Sequence, residues 1–232
     1  MKRNLFLNVL LSAILLIFLA GCNTTQRSAM STGTDFSSVA VVSFAVNNYG
    51  AFGASGVISP ALIDSTFPQL VKKTEEILSQ SLTVKPVSSF IDDDAYRALS
   101  IGTVKSGLYA PSINGLVLPS FSENRKDLVK GVLEPETAKA LCRTLGVDAV
   151  VLVYSEWMID SGKFIPTIKA LTKNCFSMYS KDGSKVFYDR KDMRGEKIIG
   201  GAFAGVHINE GTIDQWINAY GKSAEIVLKR NI

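Results

Sequence analysis

From Phe36 onward the chain alternates between apolar runs with strand character and segments whose apolar residues recur at helical spacing. Ser38 to Val46 (SVAVVSFAV), rich in β-branched residues, predicts a buried strand. A glycine-rich loop, Asn47 to Gly56, follows it. Thr66-Phe67-Pro68 predicts a helix start, because proline is tolerated in a first turn. Leu70, Val71, Thr74, Ile77 and Leu78 form its inward stripe, while Lys72, Lys73, Glu75 and Glu76 face water. Thr83 to Phe90 predicts a second strand, placed at a sheet edge by Pro86. Asp92 to Leu99 predicts a short helix.

Periodicity then fails. Gly102, Gly107, Pro111, Gly115 and Pro119 interrupt every pattern in residues 100–132, which read as a loop with at most one short strand. A loop that long inside a compact domain is usually functional or disordered. Glu134-Pro135-Glu136 opens a helix that ends at Gly146. Val147 to Tyr154 is nearly all apolar and predicts a central strand. Phe164 to Tyr179 and Lys185 to Asp189 predict two more strands, joined by the Asp182-Gly183 turn. The mixed-sign run Arg190 to Lys197 reads as a solvated loop. Thr212 to Lys229 predicts the last helix, with Thr212 and Gln215 as a capping box and Ile213, Trp216, Ile217, Tyr220, Ala224 and Val227 facing inward. The order β-α-β-α-loop-α-β-β-β-α predicts an α/β (α+β) fold: a single mixed sheet of about five strands with helices packed on it.

The first 35 residues have a different character. Lys2 and Arg3 precede an apolar core from Val9 to Leu19, and Leu19-Ala20-Gly21-Cys22 follows. A membrane span needs roughly 17–25 apolar residues, so this shorter core matches the apolar region of a signal peptide. Residues 22–35 are small and polar and predict a flexible tether with an r.m.s. reach of roughly 20 Å. Residues 36–232 then form one domain. Loss of Lys2 and Arg3 lowers the formal charge from +4 to +2, too little basicity to argue for a nucleic-acid partner.

Candidate chemistry is sparse. Cys142 falls on the inward face of a helix with Ala138, Leu141 and Leu145, whereas Cys175 lies on the strand face opposite Ile168, Phe176 and Met178. With helices on the apolar face, the two thiols are on different sides of the sheet, which argues against a disulfide. The lone histidine, His207, has no companion ligands for a zinc site, so no metal or cofactor is expected. The glycines of Gly50-Ala-Phe52-Gly53-Ala-Ser-Gly56 have the wrong spacing for a dinucleotide loop, and Pro60 stands where the following helix should begin. This loop and Gly200-Gly201-Ala-Phe203-Ala-Gly205 are candidate contact loops, since small residues allow close approach and each carries one phenylalanine. Asp92-Asp93-Asp94 cannot converge on one ion and instead favours a helix N-terminus.

The Leu19-Ala20-Gly21-Cys22 tetrapeptide resembles the lipobox of bacterial lipoproteins. That resemblance implies cleavage between Gly21 and Cys22, acyl chains on Cys22 and attachment to a membrane. An ordinary signal peptide ending near a cysteine is the competing reading. Asn23, in place of an aspartate, implies the outer membrane and a periplasm-facing domain. The SVAVVSF strand, the segment PETAKALCRTLGVDAVVLVYSEW and the hairpin CFSMYSKDGSKVFYDR before the last helix resemble the family that contains the curli-secretion lipoprotein and the lipoprotein activators of penicillin-binding proteins. The fold of that family is related to the amino-terminal domain of the Tol-system periplasmic protein. The likeness implies a non-enzymatic module that binds an envelope protein. A subunit of an oligomeric secretion channel and a small-ligand-binding domain are the alternatives. Against the channel, residues 100–120 lack the long alternating hairpins that cross a membrane.

Overall fold

A computed structural model of the chain describes residues 36–48, 60–102, 108–122, 124–162, 167–201, 206 and 208–232. Its elements are β1 (Ser38–Asn48), α1 (Pro60–Leu78), β2 (Thr83–Lys85), α2 (Asp94–Ala98), β3 (Ser112–Ile113), β4 (Leu116–Val117), α3 (Arg125–Val129), α4 (Pro135–Leu145), β5 (Ala149–Ser161), β6 (Thr167–Ser180), β7 (Lys185–Gly201) and α5 (Ile213–Asn231). Five strands make one mixed sheet, as the sequence predicts, in the order β2-β1-β5-β6-β7. β1 runs parallel to both β2 and β5, while β5, β6 and β7 are antiparallel neighbours. No helix among the described residues is long and apolar enough to cross a membrane.

One face of the sheet is covered by α1 and α5. Phe44 of β1 and Phe176 of β6 meet Tyr220 of α5 at 5.6 and 6.0 Å, and Trp157 of β5 meets Phe67 of α1 and Trp216 of α5 at 5.4 and 6.3 Å. Buried aromatic pairs of this kind add roughly 0.5–1.5 kcal/mol each beyond their area. The opposite face is strapped by residues 124–133. There Leu128 joins Ala45, Tyr154 and Cys175 in a second, smaller apolar cluster. The Tyr179 hydroxyl donates to Gly131 O and accepts from the Leu133 N–H, which fixes the strap across β6. α4 follows directly and packs on β5 and β6. It ends at Gly146, whose left-handed φ of 65° closes the helix where the sequence places its stop.

Several boundaries differ from the sequence reading. α1 starts at Pro60 rather than Thr66, and Pro68 lies inside it. An internal proline costs about 3 kcal/mol. Full burial of Phe67, with Leu62 and Leu70 on the same face, offsets that loss. β2 holds the expected edge, but Pro86 ends it after three residues and Val87–Ser89 form a 3-10 turn. Residues 100–132 contain a two-stranded hairpin turned by Asn114 and Gly115, both at positive φ, and the short α3 capped by Asn124. The run Arg190 to Lys197 is strand, not solvated loop: β7 continues to Gly201 and pairs with β6 on both sides of an irregularity between Arg194 and Ile198. Thr212 and Gln215 form no capping box. Thr212 Oγ1 accepts from the Asn209 N–H, and Gln215 Oε1 accepts from Lys197 N–H on the edge strand. The inward residues of α5 are as expected, with Ile217 only half-buried. Asp93 caps α2 by accepting from the Ala95 and Tyr96 N–H groups, the helix-start role read from the aspartate run.

Candidate interaction surface

Strand register divides the sheet into two ends. At the proximal end Ser38 meets Thr83, Val39 meets Ala149, Ala149 meets Ser180, and Tyr179 meets Lys185. At the distal end Asn48 meets Trp157, Ser161 meets Ile168, and Thr167 meets Gly201. The 13 residues of β5 separate these ends by roughly 40 Å at the rise of an extended strand.

The proximal end is tied together by Asp148. One carboxylate oxygen accepts from the N–H and hydroxyl groups of both Ser37 and Ser38, at 2.9–3.2 Å. The other accepts from Lys181 Nζ at 2.7 Å. Lys181, then the Ser37 donors, hold the Asp148 carboxyl far below the usual carboxylate range. The aspartate of the Gly146-Val147-Asp148 step thus fastens the start of β1 to the start of β5 and to the β6–β7 turn. That turn packs closely: a Cβ on Gly183 would stand 2.7 Å from Pro135 O.

The distal end has a rigid floor and an apolar, lightly charged rim. Trp216 Nε1 donates to Met158 O at 2.8 Å. Trp157 Nε1 donates to Ser155 Oγ, which donates to Asn174 Oδ1 at 2.6 Å, and Asn174 Nδ2 donates to Thr172 Oγ1 at 2.9 Å. These groups are fully buried, and each finds a partner, as buried polar atoms require. Above them Ile198 is 59% exposed, Ile159 and Ile199 are half-buried, and Arg194 pairs with Asp160 at 2.9 Å. Segments 49–59, 163–166 and 202–205 are all joined to strands at this end.

On the strapped face, toward the distal end, Tyr154 Oη accepts from Asn47 Nδ2 and Arg125 Nε, both at 3.2 Å. Arg125 and Lys173 flank Glu156 at 3.5 and 3.8 Å. Burial raises the Tyr154 hydroxyl. It also raises the Cys175 thiol, which accepts from Tyr188 Oη, and pushes Cys142 up to about 11. Thiols so placed stay protonated and unreactive near neutral pH. Both are free and lie in separate apolar clusters, but not on opposite faces as the sequence periods suggest: the strap that meets Cys175 leads directly into α4, which carries Cys142. No group of three or more metal-ligating side chains occurs among the described residues.

Of the sequence-expected sites, Gly21 and Cys22 lie outside the described residues, as do Gly50, Phe52, Gly53, Gly56, Phe203, Gly205 and His207. Gly201 is described: it closes β7 opposite Thr167 at the distal end. The topology therefore joins both candidate contact loops to one end of the sheet. Sequence reading missed Ile159, Ile198 and Ile199, apolar residues of that end. Ile198 follows the charged run assigned to loop, so its place on a strand was hidden.

No known protein family matches the chain, and no curated protein is similar to it in sequence. Solved structures are similar to it. A PelC dodecamer from Paraburkholderia phytofirmans superposes with a TM-score of 0.41 at 11% identity, over 90% of this chain and 96% of that one. Lipoprotein GNA1162 from Neisseria meningitidis gives 0.39 at 14% identity, over 79% and 94%. The hypothetical protein CT253 from Chlamydia trachomatis gives 0.38 at 8% identity, over 85% and 94%.

Proposed function

We propose that this chain is a lipid-anchored, periplasm-facing lipoprotein of the outer membrane, whose domain is a non-enzymatic module that binds another envelope protein. The observation that carries the reading is the signal-like start ending at Leu19-Ala20-Gly21-Cys22, followed by a polar stretch that leads into β1. The strand register supports it. The chain enters the fold at the proximal end, and both candidate contact loops join the distal end, so an anchored domain would hold them away from the membrane. The two cysteines inside the domain are buried with raised thiol pKa values, which gives an enzymatic reading little to work with.

The test is to extract the native protein from membranes in mild detergent and measure its mass and subunit composition by light scattering. The mass of the N-terminal peptide reads the modification of Cys22. An acylated Cys22 and one copy bound to a different protein support the proposal. A symmetric ring of many copies would move the reading to a secretion channel, and an unmodified N-terminus would sink the lipoprotein assignment.

A further inference from the structure

At the proximal end, the last turn of α4 and the start of β5 enclose a cleft of about 300 Å³, lined by Lys139, Cys142, Arg143, Val147, Asp148 and Lys181. Ligand clefts begin at about this size. Three of its lining groups are cations, and Arg143 is exposed with no ion pair among the described residues. The single lining carboxylate, Asp148, has both oxygens engaged by Ser37, Ser38 and Lys181. Lys139 pairs with Glu136 at 2.7 Å on the surface, a weak contact that a stronger anion can displace. A helix C-terminus repels anions, but that of α4 is satisfied within the fold. Cys142 O and Arg143 O accept from the Val147 and Gly146 N–H groups, and Leu145 O accepts from Lys85 Nζ, a fourth cation behind the cleft.

We infer that this cleft binds the phosphate of an anionic lipid headgroup in the membrane to which the chain is anchored. The inference rests on the lipoprotein reading above. Position selects the lipid over a free anion, because Asp148 holds Ser37 and Ser38, which follow Phe36 just after the polar stretch that begins at Cys22. The cleft therefore opens beside the point where the chain arrives from the membrane, and the 14 residues from 22 to 35 set the anchor no more than roughly 50 Å away at full extension. Headgroup binding there would orient the anchored domain and direct the distal end outward.

The test uses the mature chain, residues 22–232, with Cys22→Ser so that no acyl chain contributes. Cosedimentation is compared on vesicles of phosphatidylcholine alone and of phosphatidylcholine with phosphatidylglycerol. Binding should be confined to the anionic vesicles. The Lys139→Ala/Arg143→Ala variant should lower the partition coefficient roughly 30-fold, at about fivefold per cation near an anionic surface. The Lys72→Ala/Lys222→Ala variant removes the same charge elsewhere and should leave partitioning within twofold. Equal binding to both vesicle types, or equal losses in the two variants, would overturn the assignment. Tight binding of glycerol phosphate in solution without vesicle preference would replace the lipid with a free anion. The mass of the native N-terminal peptide decides the lipoprotein reading separately, whatever the vesicles show.

Discussion

Gly131 is where the strap over the second sheet face comes closest to β6, and replacing it with alanine tests the packing described above. Its φ of 53° lies in the left-handed region, where a side chain costs roughly 1 kcal/mol. An added Cβ would stand 2.3 Å from Ser177 Oγ and 2.6 Å from Ser177 Cβ, separations no real Cβ tolerates. Ser177 is fully buried on an inner strand, so relief must come from displacing the strap, at about 1–3 kcal/mol for overpacking. Gly131→Ala should therefore destabilise the domain by about 2–4 kcal/mol. Ser177→Gly removes both clashing atoms and leaves Tyr188 Cδ2 at an ordinary 3.6 Å. The double variant should accordingly be more stable than the sum of the single changes by about 1–3 kcal/mol. Urea unfolding of the mature chain, read as a shift of midpoint at constant slope, measures all four corners of the cycle. A loss below 0.5 kcal/mol in Gly131→Ala, or strict additivity, would refute the crossing geometry.

Three further expectations follow from the ionisable groups. Asp148→Asn should cost about 1–2 kcal/mol at neutral pH, the worth of charge-assisted bonds on a partly exposed carboxylate. Because folding lowers this carboxyl, its contribution is full above the unfolded value near 3.9 and falls away as pH drops below it. Urea midpoints of wild type and variant should therefore converge in acid. Arg230→Ala leaves the fully buried Asp189 without its cation and should cost about 3 kcal/mol, with partial recovery when Asp189→Asn is added; equal stability of the two variants would argue against the pair. Cys142 and Cys175 should resist a thiol reagent at pH 8 in the folded protein and both react on unfolding, and rapid labelling of either would contradict their burial.

What the sequence determined by itself is local and periodic. Ser38 to Val46 and Val147 to Tyr154 are too apolar to be anything but inner strands, and both are. Pro135 and Gly146 bracket α4, because one lacks an N–H that a first turn does not need and the other tolerates positive φ. The inward, buried position of Cys142 on α4 followed from the helical period alone. The lipobox-like Leu19 to Cys22 tetrapeptide is read from sequence alone and lies outside the described residues.

Tertiary structure decided the rest where burial outweighs propensity or where distant residues meet. α1 runs through Pro68 because Phe67 packs on Trp157, a contact no local pattern contains. β7 carries Arg190, Asp192 and Arg194 as strand because Arg190 pairs with Asp192 within it and Asp160 of β5 meets Arg194. Gln215 looks like a helix cap in sequence, yet its carbonyl is held by the Lys197 N–H, an edge-strand group that only the packed fold brings near. The same is true of the candidate surfaces. Glycine and phenylalanine content marked the contact loops one by one, but only strand register joins them to one end of the sheet. Asp148 and the cations of the proximal cleft come from α4, the start of β5 and the β6–β7 turn, segments as far apart as Lys139 and Lys181. Periodicity reports how a segment faces its own neighbours, whereas a site depends on which ends of different segments coincide, and that is settled only by the pairing of strands.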